Sequence, residues 1–288
     1  MSDFDDRDGY IWLDGKCVDW RQAKCHVLTH SLHYGSAVFE GERAYNGKIY
    51  ELEAHSKRLI KSAEMAGYKV PYSHDEISKA TKEILAKSGF SDAYIRPVAW
   101  RGSQEMGLAA RKNKIHVAIA CWQWPSYFTF QQRMKGVRMD IAEWRRPSPQ
   151  CAPVHSKMGG LYAICTMAKH AAEEKGYDDA LFLDYRGLVA EGTGANIFFV
   201  IDNVLHTPET DCFLDGITRQ SVIRIAREKG LKTVTRYIKP EEMAKASEAF
   251  LTGTAIEVTP ISQIAEYHFN PGNVCQTLME AYEQETHQ

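Results

Sequence analysis

VHSKMGGLYA, residues 154–163, sets Lys157 just ahead of Gly159 and Gly160, with Tyr162 five positions beyond the lysine. On a continuous helix, residues five apart point in different directions, so Lys157 and Tyr162 would share no face. The glycines predict a break instead. Lys157 ends an extended segment, and the Gly-Gly pair lets the chain turn into a helix carrying Leu161, Tyr162 and Ile164, so that both polar tips reach one pocket. The region is therefore a mixture of extended chain and helix.

The flanks read the same way. VRMDIAEW ahead of the lysine is strand-like, and the helix expected over residues 161–175 is closed by Gly176. DALFLDYRGLVAEG and NIFFVIDNVLHTP look like hairpins, a helix is expected over 219–229, and LKTVTRYI and EAFLTG add strands. In the first third, IWLDGKCV and RAYNGKIYEL place Asp-Gly and Asn-Gly between strand-like runs, the strongest short hairpin cue. HSKRLIKSAEMAG puts Leu59, Ile60, Ala63 and Ala66 on one helical face, and Ser73 with Glu76 forms a capping box before a second helix. AYIRPVAWRG and KIHVAIACW follow as strands, after which PSYFTFQQRMKG loses periodicity. No regular βαβ rhythm emerges. The reading is α+β in two domains: residues 1–125, a connection at 126–136, and residues 137–288.

Composition narrows the function. A formal charge of -2 from 35 basic and 37 acidic residues gives no reason to propose a nucleic acid or an anionic membrane as partner, which leaves a small molecule. Seven scattered cysteines, an odd number without a C-x-x-C pair, suit a reducing compartment. MSDFDDRDGY is acidic, and no run of about 18 apolar residues is present, so a cytoplasmic location is expected. Cys25, His26, His30 and His33 lack the partners expected at ligand spacing, so no metal is assigned; local hydrogen bonds around Tyr34 are expected instead.

Alone, Lys157 reads as a solvated surface lysine. Its company changes that. Glu191 ends an apolar strand at a Gly-x-Gly turn; Gly192 and Gly194 are not a dinucleotide fingerprint, because the next segment is a strand. Gly216, Ile217 and Thr218 stand directly before a helix, where free N–H groups and the dipole favour a phosphate; a plain cap at Thr218 explains them equally well in isolation. Thr252, Gly253, Thr254 and Ala255 make a donor-rich turn after a strand. Lysine, buried-strand acid, phosphate-ready helix start and donor turn are together the parts that a pyridoxal 5'-phosphate (PLP) site requires.

HVLTHSLHYGSAVFEGERAY, YIRP, K-x-G-G-x-Y, GLVAEGTGANIF, LDGITR and FLTGTAIEVTP occur in the order and approximate spacing of the class IV (fold-type IV) PLP aminotransferases. The chain resembles that family over nearly its whole length, and the branched-chain amino acid aminotransferases most within it. The resemblance implies a small N-terminal α/β domain and a larger PLP-binding domain with a mixed, barrel-like sheet. It also implies amino transfer between branched-chain L-amino acids and 2-oxoglutarate. D-amino acid transaminases, (R)-amine transaminases and aminodeoxychorismate lyases share the fold and remain open. By resemblance, Lys157 binds the cofactor covalently, Tyr162 supports its O3′ side and Glu191 faces its ring nitrogen. Arg58, Gly216, Ile217, Thr218 and Thr254 hold the phosphate. Tyr94 with Thr254 and Ala255 receives the substrate α-carboxylate, and Phe39, Trp124 and Tyr127 wall the side-chain pocket. Tyr34 and Arg96 take glutamate's distal carboxylate, Tyr34 being lent by a second subunit, so a homodimer or a larger assembly is implied. Arg101 stands where many relatives are apolar.

Overall fold

The computed structural model describes residues 3–124 and 130–288. Chain contacts divide it into two units, residues 1–125 with 156–161 and residues 126–155 with 162–288.

In the first unit, β1 (Tyr10–Leu13) and β2 (Lys16–Asp19) turn through Asp14 and Gly15 at φ 49° and 96°. Both lie in the left-handed region that a two-residue hairpin demands. α1 (His30–Tyr34) ends at Gly35, and β3 (Val38–Phe39) leads to the hairpin of β4 (Glu42–Tyr45) and β5 (Lys48–Ile49). α2 (Leu52–Met65) and α3 (His74–Ser88) follow, the latter opened by the expected Ser73–Glu76 capping box. β6 (Ala93–Arg101) and β7 (Ile115–Gln123) complete an antiparallel sheet ordered β2-β1-β7-β6-β4-β5, with β3 also against β6. Period-two alternation assigns its faces. Val38 and Ala44 join Leu59, Ala63, Ile77, Ile84, Ile95 and Cys121 in one apolar core with α2 and α3. Each such large side chain contributes roughly 1.5–3 kcal/mol.

The second unit holds α4 (Phe130–Arg133), β8 (Val137–Arg146), α5 (Ala163–Glu174), β9 (Asp179–Asp184), β10 (Val189–Gly192), β11 (Asn196–Ile201) and β12 (Val204–Pro208). α6 (Ile217–Glu228), β13 (Thr233–Arg236), β14 (Glu248–Gly253), β15 (Glu257–Ile264), β16 (Tyr267–His268) and α7 (Asn273–Thr286) complete it. The sheet order is β10-β9-β8-β15-β14-β11-β12-β13, and β10 also pairs with β11 through Glu191 and Asn196. That pairing closes six strands into a barrel, as the resemblance implied. All six residues of β11 are buried. Ile197, Phe199 and Ile201 join Leu181, Leu251 and Ile261 in the barrel core, while Phe198 stacks on Phe250 at 5.1 Å.

The lysine segment departs from its reading in one respect. A 3-10 turn occupies Gly159–Tyr162, and α5 starts only at Ala163. Neither glycine makes a left-handed bend, since neither has positive φ; Gly160 serves close approach, as a Cβ there would stand 3.0 Å from the Gly35 carbonyl. β15 and α7 have weak local signals. Pro260 interrupts the strand pattern, and the first turn of α7 is capped from afar by Glu248, which accepts from the Val274 and Cys275 amides at 3.2 and 2.8 Å.

Candidate active site

Lys157 lies in the first unit on a chain segment pinned from two sides. Its carbonyl accepts the Phe39 amide at 3.1 Å, its own amide donates to Ser62 Oγ at 3.0 Å, and Ser156 Oγ donates to the Ser62 carbonyl at 2.9 Å. The segment thus lies antiparallel beside β3, bridged at Val38 and Met158, and rests on α2. The half-buried amine stands 5.0 Å from the centre of the Phe39 ring, and the Arg96 guanidinium is 4.8 Å from the same ring. Arg96 Nη2 donates to the Tyr94 hydroxyl at 3.0 Å, and Tyr94 packs on Trp122 and Trp124. Lys157, Phe39, Tyr94, Arg96 and Trp124 are therefore one group, as five positions of the sequence reading require. Gly41 makes room for it: a Cβ there would fall 2.0 Å from the Tyr94 hydroxyl.

Arg58 is held on α2 by a carboxylate that the sequence reading missed. Its Nε and Nη2 donate to the two oxygens of Glu40 at 2.6 and 2.8 Å, and His55 Nδ1 lies 2.7 Å from Glu40 Oε2. Glu40 is fully buried. Burial pushes its carboxyl up, but the Arg58 charge and the bonds from Arg58 and His55 win and hold it well below the usual carboxylate range. Burial pushes His55 below its ordinary value despite Glu40, so a neutral ring donating its Nδ1 proton fits the carboxylate it faces.

In the second unit, Glu191 sits at the strand pair that closes the barrel. Its Oε1 is 3.2 Å from Arg146 Nε, an ion pair between side chains 12% and 5% exposed, and its Oε2 accepts from Asn196 Nδ2 at 3.4 Å. Burial works against the Arg146 charge, yet Glu191 raises its pKa, and Tyr162 and Cys165 act in the same direction. Asn196 then reaches the start of α6: its Oδ1 accepts the Gly216 amide at 3.1 Å. Gly216 keeps that bond in place, because a Cβ would meet the oxygen at 2.2 Å and force the Asn196 side chain to shift. The helix begins without a side-chain cap, so the N–H groups of its first turn, including those of buried Ile217 and Thr218, have no intrahelical acceptor. Thr254 and Ala255 form the β14–β15 turn, and next to it Thr252 Oγ1 is buried without a partner among the described residues.

Each unit by itself offers part of what PLP requires: the first a lysine for the aldehyde, the second an uncapped helix start for a phosphate and a largely buried acid for a protonated ring nitrogen. Tyr127 lies outside the described residues. Tyr34 is exposed and donates to the Met106 carbonyl at 3.1 Å. Arg101 ends α2, donating to the Ala66 and Gly67 carbonyls at 3.2 and 2.8 Å. His26 and His33 bond to nearby backbone, as expected, whereas His30 Nε2 lies 3.2 Å from the Gly107 carbonyl, 77 positions on. Glu40, Gly41, His55, Arg146 and Asn196 escaped the sequence reading. Its available signals were a glycine between two strand-like runs and acids in an apolar stretch.

The model of the amino-transferase class IV family matches residues 37–264. A probable branched-chain-amino-acid aminotransferase of Rickettsia bellii is 45% identical, covering 95% of this chain and 94% of that protein. The branched-chain-amino-acid aminotransferase of Pseudomonas aeruginosa is 42% identical, over 96% and 92%. The crystal structure of a "T.th." branched-chain amino acid aminotransferase with pyridoxamine 5'-phosphate superposes with a TM-score of 0.94 at 38% identity, over 97% of this chain and 94% of that one. Lys157, Glu191 and the α6 start all fall inside the matched span, and the chain belongs to the class IV aminotransferases.

Proposed function

We infer that the protein is a PLP-dependent aminotransferase exchanging the amino group between branched-chain L-amino acids (leucine, isoleucine, valine) and 2-oxoglutarate. The observation that carries this is the grouping of Lys157 and Arg96 on the Phe39 ring, with Tyr94 bonded to the arginine. An amine for the chemistry, aromatic surface for an isobutyl group and a guanidinium for a second carboxylate are what a donor-acceptor pair of such unequal polarity needs. The named relatives, one of them solved with pyridoxamine 5'-phosphate, support the same reading.

PLP, when bound, supplies the electron sink for breaking the substrate Cα–H bond. In the first unit, Lys157 Nζ would hold the aldehyde covalently and, once the incoming substrate amine has displaced it, would be free to move the Cα proton; Arg58 would hold phosphate, Tyr94 the α-carboxylate and Arg96 the distal carboxylate of glutamate, while Phe39 and Trp124 wall the side-chain pocket. In the second unit, Glu191 keeps a proton on the ring nitrogen and Tyr162 supports the O3′ side. Ile217, Thr218 and Thr254 would donate to phosphate, with Gly216 opening that helix start while its own amide stays on Asn196, and the Thr254–Ala255 turn would donate to the α-carboxylate. The test is a panel of L- and D-amino acids and primary amines against 2-oxoglutarate. Turnover confined to branched-chain L-amino acids is expected; preference for D-amino acids or amines would move the protein to another branch of the family.

We also propose a cytoplasmic enzyme that works as a homodimer, either alone or within a larger assembly. Val27, Leu28, Leu32 and Tyr34 are exposed, and Leu32 lines an apolar groove of about 500 Å³ with Leu13, Val98 and Trp100, which a second copy would cover. Light scattering should give at least twice the 32.6 kDa chain mass, and Leu32→Asp should lower it.

A further inference from the structure

We propose that Glu40 and His55 are positioning residues for the cofactor phosphate: they fix the plane of the Arg58 guanidinium so that its charge is presented in one orientation. The inference rests on the reading of Arg58 as a phosphate ligand. Its ground is a geometry found entirely within the first unit. A carboxylate that meets Nε and Nη2 together, at 2.6 and 2.8 Å, fixes the fork in its plane, where a single contact would leave it free to swivel. Glu40 itself cannot turn, because it is fully buried and His55 Nδ1 holds its Oε2 at 2.7 Å.

One helix carries the arrangement. His55, Arg58 and Ser62 recur on α2 at the three- and four-residue spacing that places side chains on one face. Ser62 is the residue that accepts the Lys157 amide, so the same stripe that orients the guanidinium also fixes the backbone of the lysine. The stripe thus sets the distance between the residue proposed to bind the aldehyde end of the cofactor and the residue proposed to bind its phosphate. A freely rotating arginine would forfeit that registry.

The experiment compares affinity of the full-length apo-protein for PLP and for pyridoxal, which has no phosphate, by absorbance titration, in Glu40→Gln, Glu40→Asp, His55→Ala, His55→Asn and Arg58→Ala. Asparagine can place its amide near the imidazole Nδ1–H and should restore the bond that alanine loses. Glu40→Gln is expected to weaken PLP by about 10- to 100-fold while leaving pyridoxal within about threefold, and His55→Ala to weaken PLP by a smaller factor that His55→Asn recovers. Equal losses for both ligands, or no loss for either, would overturn the positioning role and leave Glu40 as a packing residue. Should Glu40→Gln not fold, Glu40→Asp and the His55 pair decide on the same criterion. Arg58→Ala separates the two levels. If it abolishes the preference for the phosphorylated ligand while the Glu40 and His55 variants keep that preference, only the positioning proposal falls. If it keeps the preference, the reading of Arg58 falls too.

Discussion

The two units present their candidate groups by different means. The first uses side chains: a lysine, two arginines and a tyrosine, kept in place by a buried carboxylate and aromatic rings. The second uses backbone: an uncapped helix start, joined through Asn196 to one largely buried acid, and a hairpin turn. Charge in the first unit is controlled by other charges, so it responds to substitution of partners that touch no ligand. Amide donors in the second cannot be mutated away and depend on glycines that admit the turn.

The sharpest break in this contrast is at Lys157. Lys157→Ala should reduce turnover by about 10³-fold or more, because none of the residues grouped with it, Phe39, Tyr94, Arg96 and Trp124, carries an amine that can bond to the aldehyde and move the proton. It should also abolish the visible absorption that borohydride bleaches in the unaltered protein. In the second unit, Glu191→Gln removes a charge and not a bond-forming atom, so a smaller slowing of about 10²- to 10³-fold is expected in single-turnover half-reactions. It strands Arg146 as well, and the melting temperature should fall with the rate. A variant that kept full rate would show that the ring nitrogen has another partner.

Arg96 tests whether the first unit's side chains discriminate substrates. Loss of a charge-assisted bond worth about 1.5–3 kcal/mol gives roughly a 10- to 150-fold loss for glutamate in Arg96→Ala. Leucine, which has no distal carboxylate, should lose only a few-fold. Equal losses would remove Arg96 from specificity. Gly41→Ala and Gly216→Ala compare the units directly. Each Cβ collides with a polar atom, the Tyr94 hydroxyl at 2.0 Å and Asn196 Oδ1 at 2.2 Å. Overpacking of this kind costs about 1–3 kcal/mol. Gly41→Ala should show mainly in KM for amino acids, since Tyr94 must move, and Gly216→Ala in cofactor affinity, since the helix start must.

What was legible in the sequence follows the same division. Turn chemistry and helix punctuation are local, so Asp14-Gly15, Asn46-Gly47 and the Ser73–Glu76 box were readable, as were the strand end at Glu191 and the Thr254 turn; α6 was read two residues late, at Arg219 and not Ile217. Lys157 was readable only through the company of those motifs. Glu40, His55, Arg146 and Asn196 act through partners up to 45 positions away, and no periodicity encodes such pairs. Pro260 hid β15 because its strand context comes from β14 and β8, and α7 was hidden because its cap comes from Glu248.

The smallest effect on rate, and the cleanest in thermodynamics, separates two acids two positions apart, Glu40 in the link between β3 and β4 and Glu42 at the start of β4. Glu40 and Glu42 are both fully buried, but Glu40 has Arg58 and His55, whereas neither oxygen of Glu42 has a partner among the described residues. Burial, reinforced by the Glu40 charge, raises the Glu42 carboxyl well above its ordinary value of 4.5. The two therefore act on stability in opposite directions. Glu40, depressed in the folded protein, adds stability that is present above its unfolded value and lost as pH falls through its folded one. Glu42, raised, binds its proton more tightly when folded, so stability is greatest below its unfolded value and declines as pH rises toward the folded one, by about 1.4 kcal/mol per pH unit while only the unfolded chain ionises. Glu42→Met keeps the volume and removes both the proton and an unsatisfied carboxyl, itself a cost of about 1–3 kcal/mol. The variant should be the more stable protein, with a margin that widens from pH 5 upward in urea midpoints and with turnover unchanged. A margin flat with pH would mean that the Glu42 carboxyl has found a partner, leaving Arg58 to share its charge between two carboxylates instead of one.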